Sequence, residues 1–204
     1  FYYANALDEI GRHVAHSRQP IFTFIQTMAA HAPYTFTYLP EVNIAGGGPG
    51  TDPEMHEYLR RLGMARLDYA YLKQELARRF PGERFLIVHY GDHQPIATRS
   101  LLGQQRESEA EDVVLPQDSL GFLTYYAVDG VNYSPPPPPQ LDALDVPYLG
   151  LAVLEAARLP LSDSFRERRR LRAVCTGRYH GCAKADEILA FHRRLIDSGL
   201  LSVR

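Results

Sequence analysis

What the chain has little of narrows it first. Its 204 residues carry 22 Lys and Arg against 24 Asp and Glu, a formal charge of -2, which leaves no basic field for nucleic acid. No apolar run is long enough to cross a bilayer, and no charged-then-apolar signal segment opens the sequence. It begins Phe1-Tyr-Tyr-Ala-Asn5 without an initiator Met, which reads as the start of a fragment. There are two cysteines, Cys175 and Cys182, separated by six residues of which two are glycine. Such a spacing closes a small disulfide loop, or contributes with His180 to a zinc site that lacks a clear fourth ligand. Hydrophobic residues at 45% and charged residues at 23% exclude disordered and fibrous classes, and 23.1 kDa suits one domain with a sizeable core.

The most informative stretch present is Arg84-Phe-Leu-Ile-Val-His-Tyr-Gly-Asp-His-Gln-Pro-Ile96. Phe85 to Val88 is an apolar run too short for a typical helix, and it follows the breaker pair Pro81-Gly82, so a central parallel strand is predicted. Gly91 lets the backbone turn where the strand ends. In open α/β sheets ligands bind beyond the carboxyl ends of the strands, where Asp92 and His93 would lie. An oxygen and a nitrogen donor side by side suit zinc or manganese. The same two residues also read as a cap for the next segment and a surface histidine.

Taken in order, the chain predicts an amphipathic helix over 8–17, with Leu7, Ile10 and Val14 on one side, and a strand over Ile21–Ile25 beside the Asp92 strand. His31 then follows near a strand terminus. From Phe36 the sequence is irregular and aromatic, ending in Gly46-Gly-Gly-Pro-Gly50, a surface loop without the lysine of a phosphate-cradling motif. Thr51-Asp-Pro-Glu54 starts a helix running to about Arg79, with Met55, Leu59, Leu62, Tyr69, Leu72 and Leu76 inward and Arg60, Arg61, Lys73, Glu75, Arg78 and Arg79 toward solvent. The acidic residues Glu107, Glu109, Glu111 and Asp112 read as a solvated loop. A strand is predicted over 121–128, closed by a turn at Asp129-Gly130, followed by extended polyproline to Pro139. Helices follow over Asp145–Ala157 and from Asp186 to Leu201, and Arg166, Arg168, Arg169, Arg170 and Arg172 mark a solvated helix face rather than a lipid-headgroup patch.

Three segments together carry a resemblance. Tyr90-Gly-Asp-His-Gln-Pro95 resembles the Asp-His metal motif of the sulfatase-like branch of the alkaline phosphatase superfamily, which includes sulfatases, lipoteichoic acid synthases and phosphoglycerol and phosphoethanolamine transferases. Met28-Ala-Ala-His-Ala-Pro-Tyr34 is similar to the family's Ser-His-x-Pro segment, whose histidine lines the phosphate or sulfate pocket, and Leu144 to Pro160 resembles its later helix-bearing segment. The common Asp-His-Gly form is replaced here by Gln94-Pro95.

This resemblance implies an α/β fold with a mainly parallel sheet flanked by helices, of which residues 1–204 are the C-terminal portion and the N-terminal part is missing. It implies a metal-dependent phosphoryl- or sulfuryl-ester transferase or hydrolase of the cell envelope. Asp92 and His93 would be ligands of a divalent metal (Mn, Zn or Ca), His31 a catalytic pocket residue, and the nucleophile would lie upstream, since nothing before His31 resembles it. The expected substrate is a phospholipid headgroup or envelope glycan, met on the extracytoplasmic face of a membrane reached through missing N-terminal helices. An extracytoplasmic setting favours the Cys175–Cys182 disulfide. An exposed apolar face or open strand edge would let the fragment self-associate. The alternative is a non-catalytic module that keeps the pocket to bind an anionic headgroup or glycan.

Overall fold

The computed structural model describes residues 2–45, 47, 52–95, 97, 98, 101 and 119–202. Within them the fold is mixed α/β, with five α-helices and a two-stranded sheet. The chain divides into two compact units, residues 1–85 with 90–125 and residues 86–89 with 126–204.

The first unit is built on two helices, α1 (Tyr2–His16) and α2 (Pro53–Arg79). Ala6, Leu7 and Ile10 recur at helical spacing on α1 and are buried, and α1 packs against α2, where Met64, Leu72 and Leu76 are buried. Arg79 of α2 reaches Asp8 of α1 across this seam at 3.0 Å. The start of α2 follows from its sequence: the Asp52 carboxylate accepts the Met55 N–H at 2.8 Å, Pro53 occupies the first turn, and Glu54 lies at the positive end of the helix dipole. Thr51, the other candidate cap, the acidic run around Glu107–Asp112 and all of the glycine cluster except Gly47 lie outside the described residues.

Strand β1 (Phe85–Tyr90) forms where the apolar run predicts it, but its neighbour is β2 (Tyr126–Val131). Gly91, just past the end of β1, donates to the Tyr125 carbonyl just before β2, as in an antiparallel pair. The parallel neighbours expected for β1 are not among the described residues, and β1 is half-buried rather than central. Ile21–Ile25 has no regular secondary structure instead of the expected strand, because β-prone side chains make a strand only where another backbone supplies the hydrogen bonds. The turn expected at Asp129-Gly130 is likewise displaced. Both residues continue β2, and the chain turns after Val131, where Asn132 adopts the left-handed conformation (φ 54°). Gly130 is needed in the strand because the Tyr133 carbonyl comes so close that a Cβ would collide with it.

The second unit, besides its strands, holds α3 (Leu149–Ala156), entered through a 3-10 turn at Val146–Tyr148, then α4 (Asp163–Val174) and α5 (Ala185–Asp197). Its core is Tyr148, Leu171, Cys175, Cys182, Ile188 and Phe191, with Leu144, Tyr179 and Leu195 packed against them. Cys175 and Cys182 are disulfide-bonded with their Cα atoms 5.2 Å apart, so they are not available as zinc ligands with His180. Asp145 ties the loop they close: its Oδ2 accepts the N–H groups of Tyr179 and His180 at 2.6 and 2.8 Å. The Tyr179 hydroxyl lies 2.6 Å from His192 Nε2 on α5.

The arginine cluster on α4 is the expected solvated face in part and a set of cross-links in part. Arg172 pairs with Glu155 of α3 at 2.6 and 3.1 Å, Arg170 with Glu167 and with Glu187 of α5, and Arg168 donates to the Pro147 carbonyl over the rings of Phe165 and Phe191. Arg166, Arg169 and Arg170 are exposed, as expected.

The disulfide closes a short loop, so a chain-entropy estimate for its contribution is about 2–3 kcal/mol. Replacing both cysteines by Ser is expected to lower unfolding stability by about that amount, read by urea denaturation, and alkylation without reductant should label no thiol. Two labelled thiols in the oxidised, folded protein would refute the bond.

Candidate functional site

The site begins with charge that the helical pattern of α2 places in water and the fold places inside. Glu57, Arg60 and Arg61, at i, i+3 and i+4 on one face of α2, are 5%, 6% and 3% exposed. Arg60 and Arg61 are thus corrections to the expected solvent-facing set. Each donates its Nε–H to a different Glu57 oxygen, at 2.9 and 2.7 Å. The physical reason for their burial is the segment lying across them, which has no regular secondary structure and therefore needs donors for its carbonyls. Arg61 donates to the carbonyls of His31 and Phe36 at 3.0 and 3.1 Å, and Arg60 to those of Val42, at 3.0 Å, and Tyr38. In return, the Tyr38 N–H donates to Glu57 at 2.8 Å. The Arg61 guanidinium also lies over the rings of Tyr34, Phe36 and Tyr38, 4.9 to 5.5 Å from their centroids.

His31 is held by this scaffold through its backbone. Its N–H donates to the Met28 carbonyl at 3.0 Å, its carbonyl receives Arg61, and its exposed ring places Nδ1 2.8 Å from the Ala32 carbonyl. Neutral His31 then keeps its proton on Nδ1, leaving the Nε2 lone pair as the free acceptor or ligand atom. Three residues on, Tyr34 is buried against Tyr58 and donates its hydroxyl to the Ala30 carbonyl. Burial first, and Tyr58 second, push its hydroxyl up to about 12 despite the opposing Arg61 charge, so it stays protonated.

Asp92 and His93 stand in the bend directly after β1, at the strand end expected for them. Gly91 precedes them because the Thr124 hydroxyl leaves no room for a Cβ there. Both side chains are exposed. Asp92 Oδ1 accepts the His93 N–H at 3.0 Å, and Asp92 Oδ2 lies 3.6 Å from His93 Nε2. His93 Nδ1 lies 3.1 Å from the Gln94 carbonyl, the same backbone arrangement as at His31, and Gln94 anchors the bend through the Leu123 carbonyl at 2.6 Å.

The chain around the two motifs converges on the first turns of α2, since Tyr34 of one and Ala97, two residues beyond the other, bury together against Met55. A carboxylate and an imidazole on one bend are chemically suited to zinc or manganese, but two donors fall short of the three that a catalytic site supplies. Among the described residues no group of three or more His, Cys, Asp and Glu side chains comes together, so His31 does not complete a cluster with Asp92 and His93. Sequence reading missed Glu57 and the inward role of Arg60 and Arg61. The Glu-x-x-Arg-Arg spacing, set beside the alternating Tyr34, Phe36 and Tyr38, is the one signal in the sequence that could have found them.

Burial pushes the Glu57 carboxyl up, but the hydrogen bonds from Arg60, Arg61 and the Tyr38 N–H outweigh it and lower its pKa from 4.5 to about 2. A carboxylate depressed in the folded state stabilises the fold above its unfolded value, and that stability is lost as the pH falls from about 4.5 toward 2. Acidification over this range is expected to remove about 3 kcal/mol that a Glu57→Gln variant does not lose, measured as the difference between their denaturation curves. At neutral pH that variant should be less stable by about 3–5 kcal/mol, because it strands two buried cations. Equal acid sensitivity of the two proteins would contradict this role.

Comparison of the chain with protein-family models, with curated proteins and with solved structures finds no match, so its geometry and its motifs carry the functional reading.

Proposed function

We propose that this chain is the C-terminal portion of a sulfatase-like, metal-dependent phosphoryl- or sulfuryl-ester transferase or hydrolase of the cell envelope. The observation that carries the reading is the convergence of the chain around His31 and around Asp92–His93, some sixty residues apart in sequence, through Tyr34 and Ala97 on Met55 of α2. In this reading β1 belongs to a mainly parallel sheet completed, together with the nucleophile, by residues outside this sequence.

Each residue then has a defined task. Asp92 and His93 are the two protein ligands this chain gives to a divalent cation, which when bound would supply Lewis acidity and lower the pKa of an attacking hydroxyl. His31 donates Nδ1–H to a backbone carbonyl and, once protonated, presents Nε2–H to an anionic oxygen or to the leaving group. Arg61 positions His31 through the backbone and does not touch substrate. The substrate class is a phosphate or sulfate ester of a lipid headgroup or an envelope glycan, and the setting is extracytoplasmic, in keeping with the disulfide.

A non-catalytic module that binds an anionic headgroup or glycan is the second reading, favoured by the shortage of metal donors among the described residues. Incubation of the purified chain with manganese or zinc and p-nitrophenyl phosphate or sulfate should give no turnover, because the nucleophile is absent. Manganese should nevertheless broaden the amide resonances of Asp92 and His93, and Asp92→Asn should abolish the effect. In the longer gene product, turnover should appear and fall at least about a hundredfold in Asp92→Ala. Turnover by the 204-residue chain itself would refute the half-site, and ester binding without turnover by the longer product would establish the module instead.

A further inference from the structure

From Pro20 to Thr27 the chain has no regular secondary structure, and among the described residues its backbone makes no hydrogen bond to another backbone group. Its composition is nevertheless that of a strand. Ile21, Phe22, Thr23, Phe24 and Ile25 are all β-branched or aromatic, and no charged residue occurs from Gln19 to Met28. Phe22 is 87% exposed and Phe24 66%. A strand former with unpaired backbone and bare aromatic rings is a template for another strand.

The order of the residues identifies that strand, because Ile21-Phe-Thr-Phe-Ile25 reads the same from either end. We propose that two copies of this chain pair antiparallel through residues 21–25 about a twofold axis at Thr23. Such a contact is isologous, with Ile21 opposite Ile25 and Phe22 opposite Phe24 of the second copy, each pairing made twice. Antiparallel ladders alternate hydrogen-bonded and non-hydrogen-bonded pairs, which leaves two possible settings. With Thr23 opposite Thr23 in a hydrogen-bonded pair, Pro20 faces Gln26 at a non-hydrogen-bonded position, where its missing N–H costs no ladder bond. The two Phe22–Phe24 pairs then occupy the closer-spaced positions, where cross-strand side chains interact best. The other setting would ask Pro20 for a hydrogen it does not have.

The area available fixes the strength expected. Four phenylalanine rings would bury on the order of 600 Å². Exposed Ile21 and Met28 from each copy bring this toward the ~1,000 Å² at which specific interfaces begin. A concentration-dependent dimer of roughly micromolar affinity follows, and it is independent of the proposed catalytic reading.

Sedimentation equilibrium and residue-resolved amide exchange, run on the 204-residue chain across a concentration series, test this pairing. The expected result is a monomer–dimer equilibrium in which the amides of Ile21, Thr23 and Ile25 gain protection with concentration while those of Phe22 and Phe24 do not. Thr23→Pro should weaken the dimer at least about tenfold, and Phe22→Lys with Phe24→Lys should do the same, without altering the melting curve because these side chains are exposed. Thr23→Val should still dimerise. A chain that stays monomeric throughout, including one whose segment is reserved for a strand of another protein, overturns the proposal. Protection of the Phe22 and Phe24 amides, or a dimer indifferent to Thr23→Pro, overturns it as well.

Discussion

Three charges buried on one face of α2 hold the first unit in shape. Placing Glu57, Arg60 and Arg61 out of water costs several kcal/mol per ion, and the attraction among them repays this only if every remaining donor and acceptor is used. Here the donors left over after pairing with Glu57 go to the carbonyls of His31, Phe36, Tyr38 and Val42, and the surplus positive charge lies over three aromatic rings. The arrangement is reciprocal: the irregular segment satisfies the arginines, and the arginines replace the ladder that the segment lacks. Lysine would not substitute, since a compact ammonium has neither the planar fork nor the stacking face that Arg61 uses.

The second unit solves a related problem with different chemistry. Its α3, α4 and α5 are only 8, 12 and 13 residues long, short enough that packing rather than propensity must stabilise them. Tyr148 and Leu171 are fully buried at their junction, the disulfide closes the loop between α4 and α5, and Asp145 holds that loop by two backbone N–H groups. Arginines of α4 reach acids on both α3 and α5. In both units charged side chains fix the backbone of segments that have no ladder of their own.

For the candidate site, backbone held rigidly beneath side chains left in water is a useful combination. His31 and His93 are both exposed, yet each has Nδ1 beside a backbone carbonyl, so ring orientation is set without burying the ring. Beneath His31 the support is buried, since Arg61 holds its carbonyl, so a group meeting the exposed ring need not rearrange the fold below it.

By itself the sequence determined the elements whose causes are local. Asp52, Pro53 and Glu54 started α2, apolar spacing carried it to Arg79, and a short apolar run followed by a glycine put Asp92 and His93 at a strand end. The features that only the tertiary structure decided depend on groups distant in the chain. Arg60 and Arg61 look like solvent-facing residues on a helical wheel, and they are inside because carbonyls 18 to 30 positions away need their donors. Ile21–Ile25 has every local property of a strand and is not one here, since a strand is a relation between two backbones. Asp129-Gly130 signals a turn, but the close approach of the Tyr133 carbonyl uses the glycine inside β2 instead. Local rules fix where the backbone can bend and cap, whereas burial of charge and pairing of strands are settled by whichever partner the folded chain brings alongside.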